Sequence, residues 1–222
     1  TAGDFNGDGV DDILIGAPLA DPNGNPQAGE AYIVFGTTSG FSSSIDLADL
    51  NGTNGFRIEG IAASDSTGTS VSTAGDIDGD GFDDVIIGAD SVDANGENSS
   101  GASYVILGGD FTSSVTHAGT SSADTLVGDA AANVIVAGQG DDTLDGNGGA
   151  DVLYAAEGDD ILQISDTTFA RVDGGSGDDT LALDGSGITL DLTTIADNKV
   201  RGIEAIDITG SGDNTLVLDR LE

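Results

Sequence analysis

The sequence predicts an all-β protein assembled from two kinds of repeat, and three observations carry that reading. A glycine-broken acidic loop occurs twice, and each copy runs straight into a short apolar strand. From Gly119 the text changes to a period of nine in which Gly, Asp and Leu recur in step. Glycine accounts for 36 of 222 residues, and the apolar runs are short, β-branched and bounded by turn residues, which suits strands and tight turns rather than helices.

The first loop is DFNGDGVDDILIGA, Asp4 to Ala17, and the second DIDGDGFDDVIIGA, Asp76 to Ala89. Oxygen donors fall at positions one, three, five and nine: Asp4, Asn6, Asp8 and Asp12 in one copy, Asp76, Asp78, Asp80 and Asp84 in the other, with the carbonyls of Val10 and Phe82 filling the gap. Crowding four oxygen side chains into nine residues is repulsive unless a cation sits among them. Ca2+ accepts six to eight oxygens in a flexible shell, whereas Mg2+ prefers to keep several waters. An EF-hand opens in the same way but needs Glu at position twelve and flanking helices. Position twelve here is Ile15 or Ile87, inside a strand-like run.

Each loop is followed by a polar turn, DPNGNPQAG from Asp21 and DANGENSSG from Asp93, whose Asn-Gly steps suit positive-φ turns. Then come the strands AYIVFG (Ala31 to Gly36) and ASYVILG (Ala102 to Gly108). The link from Phe41 to Thr73 supplies the outer strand of one unit and the inner strand of the next. On these loops and strands, residues 1–111 resemble the FG-GAP repeats of integrin-α-type β-propellers. The resemblance implies two propeller-like blades, an incomplete set where a propeller closes with four to eight.

Residues 112–118, TSSVTHA, read as a polar linker containing the only histidine, His117. Beyond it the nonapeptides GTSSADTLV, GDAAANVIV, AGQGDDTLD, GNGGADVLY and AAEGDDILQ are followed by a ten-residue break, ISDTTFARVD, and then GGSGDDTLA. This text resembles the RTX, or haemolysin-type, calcium-binding repeat G-G-x-G-x-D-x-U-x, which forms a parallel β-roll. The resemblance covers residues 119–182. Two nonapeptides make one coil, so loops 18 residues apart stack on one edge while Leu126, Ile135, Leu144, Leu153, Leu162 and Leu181 point inward on strands of about three residues. One edge then carries Asp124, Asp142, Asp160 and Asp179; the other carries Asn133, Asp151 and finally Ala170. The first edge is expected to hold three ions and the second one weak ion at most. By the same resemblance, carbonyls of Gly138, Gly140, Gly158, Gly175 and Gly177 complete the shells, and loops with Ala137, Ala155, Ala156 or Thr120 to Ser122 in glycine positions bind more weakly. Residues 183–222, with ITLDLTTI, IEAIDITG and NTLVLD, are expected to extend and cap the roll, Asn214 standing where a ligating acid would be.

Charge sets the functional classes. Forty acidic residues face five basic ones, a formal net charge of -35. Self-repulsion on that scale opposes a compact state, and nucleic acid or an anionic membrane surface would need Lys and Arg as partner groups. Five or six Ca2+ ions are expected to neutralise roughly a third of the excess. With no Cys there is no disulfide or thiolate chemistry, and no apolar run approaches the ~18 residues of a membrane span. No HExxH or GxSxG motif and no nucleophile with an identifiable base is present, and adjacent acids such as Asp11 and Asp12 sit inside a metal pattern, so the chain is not expected to be an enzyme. Lacking Met and opening in mid-repeat, it reads as a segment of a longer chain. The resemblances together imply a calcium-binding structural and adhesive segment of a large secreted bacterial protein, at the cell surface or outside it. Its partners would be Ca2+, neighbouring repeats and a cell-surface protein or glycan. The alternative is an accessory module of a secreted enzyme such as a protease, a lipase or a polysaccharide-modifying protein.

Overall fold

The structure is a computed structural model and describes residues 1–218. It is all-β apart from three single 3-10 turns. The chain divides into two compact units, Thr1–Asp78 with Phe82–Thr112, and Gly79–Gly81 with the remainder from Ser113.

In the first unit β1 (Ile13–Ala17), β2 (Glu30–Val34) and β3 (Gly55–Glu59) form one antiparallel sheet, and β4 (Thr67–Gly75), β5 (Asp84–Ala89) and β6 (Ala102–Ile106) form a second. The two are built alike: Ile15 pairs with Tyr32 in the first, and Ile87 with Tyr104 in the second. The Phe41 to Thr73 link provides β3 and most of β4, the outer strand of one sheet and the first of the next. Alternation then determines the core. Ala31, Ile33, Val85 and Ile87 are fully buried between the sheets, together with Phe5 and Phe35. Phe111 stacks on Phe5 at 5.3 Å, and Phe56 meets both rings edgewise or tilted. The sheets approach so closely at Gly16 that a Cβ there would stand 2.1 Å from the Gly68 carbonyl oxygen.

The second unit is a parallel β-solenoid. One face is the sheet of β7 (His117–Ala118), β9 (Val134–Gln139), β11 (Val152–Glu157), β13 (Arg171–Asp173) and β16 (Val200–Arg201). The other contains β8 (Thr125–Val127), β10 (Thr143–Asp145), β12 (Ile161–Ile164), β14 (Thr180–Leu183) and β17 (Ala205–Asp207). Leu126, Leu144 and Leu162 align across one face, and Ile135 aligns with Leu153 across the other, so the 18-residue coil is realised in the register. Ile135, Leu144, Leu153, Leu162 and Leu181 are fully buried.

Several expectations change. His117 and Ala118 are not linker: they pair with Ile135 and Val136 as the first strand of the solenoid, because the Thr116 hydroxyl both donates to the Val134 carbonyl and accepts the Val134 N–H. His117 has a partner, with Nδ1 2.9 Å from the Thr116 hydroxyl. Strands β9 and β11 run to six residues rather than three. The ten-residue break does stay in the roll, as its place within residues 119–182 implied, since β13 pairs with β11; it brings Phe169 into the core and buries Arg171, whose guanidinium donates to the Tyr154 hydroxyl at 3.0 Å. The C-terminal segment extends the roll, as expected, and adds a face to it. β16 and β17 continue the two faces, while β15 (Thr189–Asp191) and β18 (Thr215–Val217) open a third parallel face, so the last coils are three-sided. Residues 219–222 of that expected cap lie outside the described residues.

Candidate metal centre

Each acidic loop is clasped by the carboxylate at its ninth position, and the first is also wound around its other acidic side chains. In the first, Asp4 accepts the Asp8 N–H at 3.0 Å and the Gly9 N–H at 2.6 Å, Asp8 accepts the Val10 N–H at 2.9 Å, and the Asn6 amide donates to Asp8 at 3.1 Å. Asp4, Asn6 and Asp12 are each 1% exposed. Asp12 clasps the loop to its strand: one carboxylate oxygen accepts the Phe5 N–H at 2.9 Å, the other the Gly36 N–H at 2.7 Å. Asp84 repeats this with the N–H groups of Ile77 and Gly108 at 2.9 and 2.7 Å. Burial, with Asp4 and Asp8 adding like charge, pushes the Asp12 carboxyl up to about 7. A carboxylate so placed is stabilised by a proton or by a metal ion.

Carboxylate oxygens of Asp76, Asp78 and Asp84 lie within 4.8 Å of one another, a spacing that one Ca2+ shell spans. Asp83, which the spacing argument passed over, accepts the Asp4 N–H at 2.8 Å and so joins the second loop to the first. The doubling of the acid at Asp83-Asp84 was its only trace in the sequence.

In the solenoid the four acids of the first edge form a ladder. Asp124 N–H donates to Asp142 Oδ1 at 2.6 Å, Asp142 N–H to Asp160 Oδ1 at 2.6 Å, and Asp160 N–H to Asp179 Oδ1 at 2.9 Å. Each Oδ1 is thereby used. The second oxygens of Asp142, Asp160 and Asp179 are buried with no hydrogen-bond partner. Buried carboxylate oxygens facing no donor cost several kcal/mol unless a proton or cation neutralises them; burial accordingly raises the carboxyls of Asp142 and Asp179, and that of Asp160 to about 6. Three orphaned hard oxygens in a glycine-rich column fit Ca2+, and Asp142, Asp160 and Asp179 with the carbonyls of Gly138, Gly140, Gly158, Gly175 and Gly177 are the groups that would hold it. Asp124 differs: its Oδ2 accepts both the N–H and the hydroxyl of Thr120, at 2.7 and 2.8 Å. On the second edge Asn133 N–H donates to Asp151 Oδ1 at 2.9 Å and Asn133 Oδ1 accepts the Asp129 N–H at 2.8 Å.

The FG-GAP repeat family matches residues 1–34 and 67–106, and the family described as RTX calcium-binding nonapeptide repeat (4 copies) matches 118–153, 127–162 and 171–185. The chain carries FG-GAP repeats followed by RTX calcium-binding nonapeptide repeats. The chain is similar to phosphatidylinositol-glycan-specific phospholipase D of Bos taurus, 34% identical over 108 residues, which is 49% of this chain and 12% of that protein. The Mus musculus counterpart is 36% identical over the same length, and integrin alpha-4 of Xenopus laevis is 33% identical over 88 residues, 40% of this chain and 8% of that protein. The chain thus spans about an eighth or less of the length of these relatives.

Within the RTX half the alanines in glycine positions separate into two kinds. Ala137 and Ala155 are fully buried strand residues and do not have positive φ, so they cause no strain. Ala156, at φ 80°, stacks between Gly138 and Gly175 at φ 101° and 88°, and it alone of these alanines takes the left-handed conformation that glycine tolerates better. No helix among the described residues is long and apolar enough to cross a membrane.

Proposed function

We propose that this chain is a calcium-stabilised structural and adhesive segment of a large secreted protein. The observation that carries the reading is the column of three buried, unpartnered carboxylate oxygens in the RTX half, set in a chain whose net charge of -35 opposes folding. Ca2+ supplies local positive charge and a shell of oxygen ligands; the chain supplies a preformed stack of loops. Millimolar calcium outside cells is the condition in which weak modules of this type are loaded, which supports a secreted location. The FG-GAP blades, and the similarity of the chain to part of an integrin, support an adhesive role toward a cell-surface protein or glycan.

Circular dichroism and calorimetry during calcium titration test the metal-dependent part. β structure should strengthen as calcium is added, and Asp142→Ala should bind fewer ions and melt at lower temperature in calcium. Ordered structure that persists unchanged in excess chelator would overturn it. Beads coated with the chain test adhesion, which requires calcium-dependent retention on cells. A second reading, an accessory module of a secreted enzyme, is favoured by the similarity to a phospholipase D; it predicts that beads fail to adhere while removal of this segment from the parent protein lowers a hydrolytic activity.

A further inference from the structure

The acid ladder does not stop where the nonapeptides stop. The Asp179 N–H donates to Glu204 Oε2 at 2.8 Å, as each earlier acid donates to the next, although Glu204 lies 25 residues on, in a stretch that neither repeat family matches. β17 places it there, with Ala205 beside Thr180 and Ile206 beside Leu181. Two oxygens converge at this step, and Glu204 adds a carboxylate hydrogen-bonded to the Asp179 N–H. Asp179 is fully buried and its Oδ2 has no partner. A Cβ on Gly174 would stand 2.5 Å from that oxygen and 2.0 Å from the Gly202 carbonyl oxygen, so the two oxygens are less than about 5 Å apart, the widest separation two ligands of one Ca2+ ion can have. The Glu204 carboxylate is exposed and hydrogen-bonded at the same coil step.

The third face of the solenoid shows the same junction built without charge. There Asn214 Oδ1 accepts the Ile188 N–H at 2.9 Å, and its Nδ2 donates to the Gly185 carbonyl at 3.0 Å. An amide turns one end into a donor and satisfies the carbonyl. Asp179 cannot do this: its second oxygen and the Gly202 carbonyl are both acceptors, and a cation between them is what reconciles them.

We propose that Asp179 Oδ2, the Gly202 carbonyl and the Glu204 carboxylate form a further Ca2+ site, one coil beyond the matched RTX repeats. At the opposite end Asp124 is closed by Thr120 rather than left open, so the column of ions is displaced by one coil from the span of the repeats. The inference rests on the calcium-binding reading of the RTX half and is tested separately from it. Native mass spectrometry of the full chain with Ca2+ counts bound ions in the wild type, Glu204→Gln and Asp142→Ala. Glu204→Gln keeps an acceptor for the Asp179 N–H but removes the charge, so it should fold as the wild type does by circular dichroism and carry one ion fewer. Asp142→Ala should lose an ion whether or not the Glu204 site exists. An unchanged ion count in both Glu204→Gln and Glu204→Ala, alongside a loss in Asp142→Ala, overturns this site alone. A wild type that binds no calcium overturns both the site and the reading beneath it.

Discussion

At Asp12 and Asp160 burial of a single carboxyl couples folding to protons and, on the calcium-binding function proposed above, to metal as well. Both have folded-state values raised by burial, to about 7 and about 6, from an ordinary carboxyl value of 3.8. In the metal-free chain the protonated form is the one the fold favours. That contribution is complete below about pH 4 and is lost as pH climbs through about 6 and then about 7. In chelator, therefore, the melting temperature should be higher at about pH 5 than at about pH 8. In calcium the order reverses, because the ion competes with the proton for the same oxygens and its stabilisation fades as pH falls through this window. Differential scanning calorimetry at the two pH values, with and without chelator, reads both signs. Ala156 gives a second prediction at this scale. Its φ of 80° costs an L-residue about 1–2 kcal/mol, so Ala156→Gly should raise stability by about 1 kcal/mol in urea titration, even though glycine is more flexible when unfolded.

At the scale of the element, short strands gain stability only by stacking, since a three-residue strand such as β10 buries a single inward leucine, Leu144. The ten-residue break tests how the stack tolerates irregularity. Phe169 is 3% exposed and fills the interior where the period lapses, and the Lys199 ammonium donates to its carbonyl oxygen at 3.1 Å. Phe169→Ala should cost about 3–5 kcal/mol and lower the melting temperature of calcium-loaded protein while leaving the ion count unchanged, because no ligand of the first edge is touched. A drop in bound calcium would mean that the break, not the acid ladder alone, shapes the sites.

For the whole molecule, electrostatics decides. Sodium chloride at physiological strength screens charges more than ~8 Å apart, so in chelator it should relieve the general repulsion of a chain at -35. It cannot neutralise buried, unpartnered oxygens such as those of Asp142 and Asp160. Small-angle scattering should therefore show an expanded chain in chelator that added salt contracts only in part, whereas calcium contracts it fully; complete recovery in salt alone would reduce the ions to bulk counter-charge.

Much of this was readable in the linear text because its determinants are local. Donor spacing in Asp4 to Asp12, the nine-residue period, and the alternation that buries Ile33 and Ile87 depend on residue type and offset, and they specified the repeats and, through the nonapeptide period, the calcium that RTX repeats bind. Four things were not readable: the pairing of His117 with Ile135, the closing of Asp124 by Thr120, the reach of Asp83 to Asp4, and the arrival of Glu204 beneath Asp179. Three of these join residues 18 to 79 positions apart, and Thr120 occupies a place where the repeat calls for glycine. Which side chain meets which across such gaps is set by how the coils and blades stack, and no local pattern contains that register.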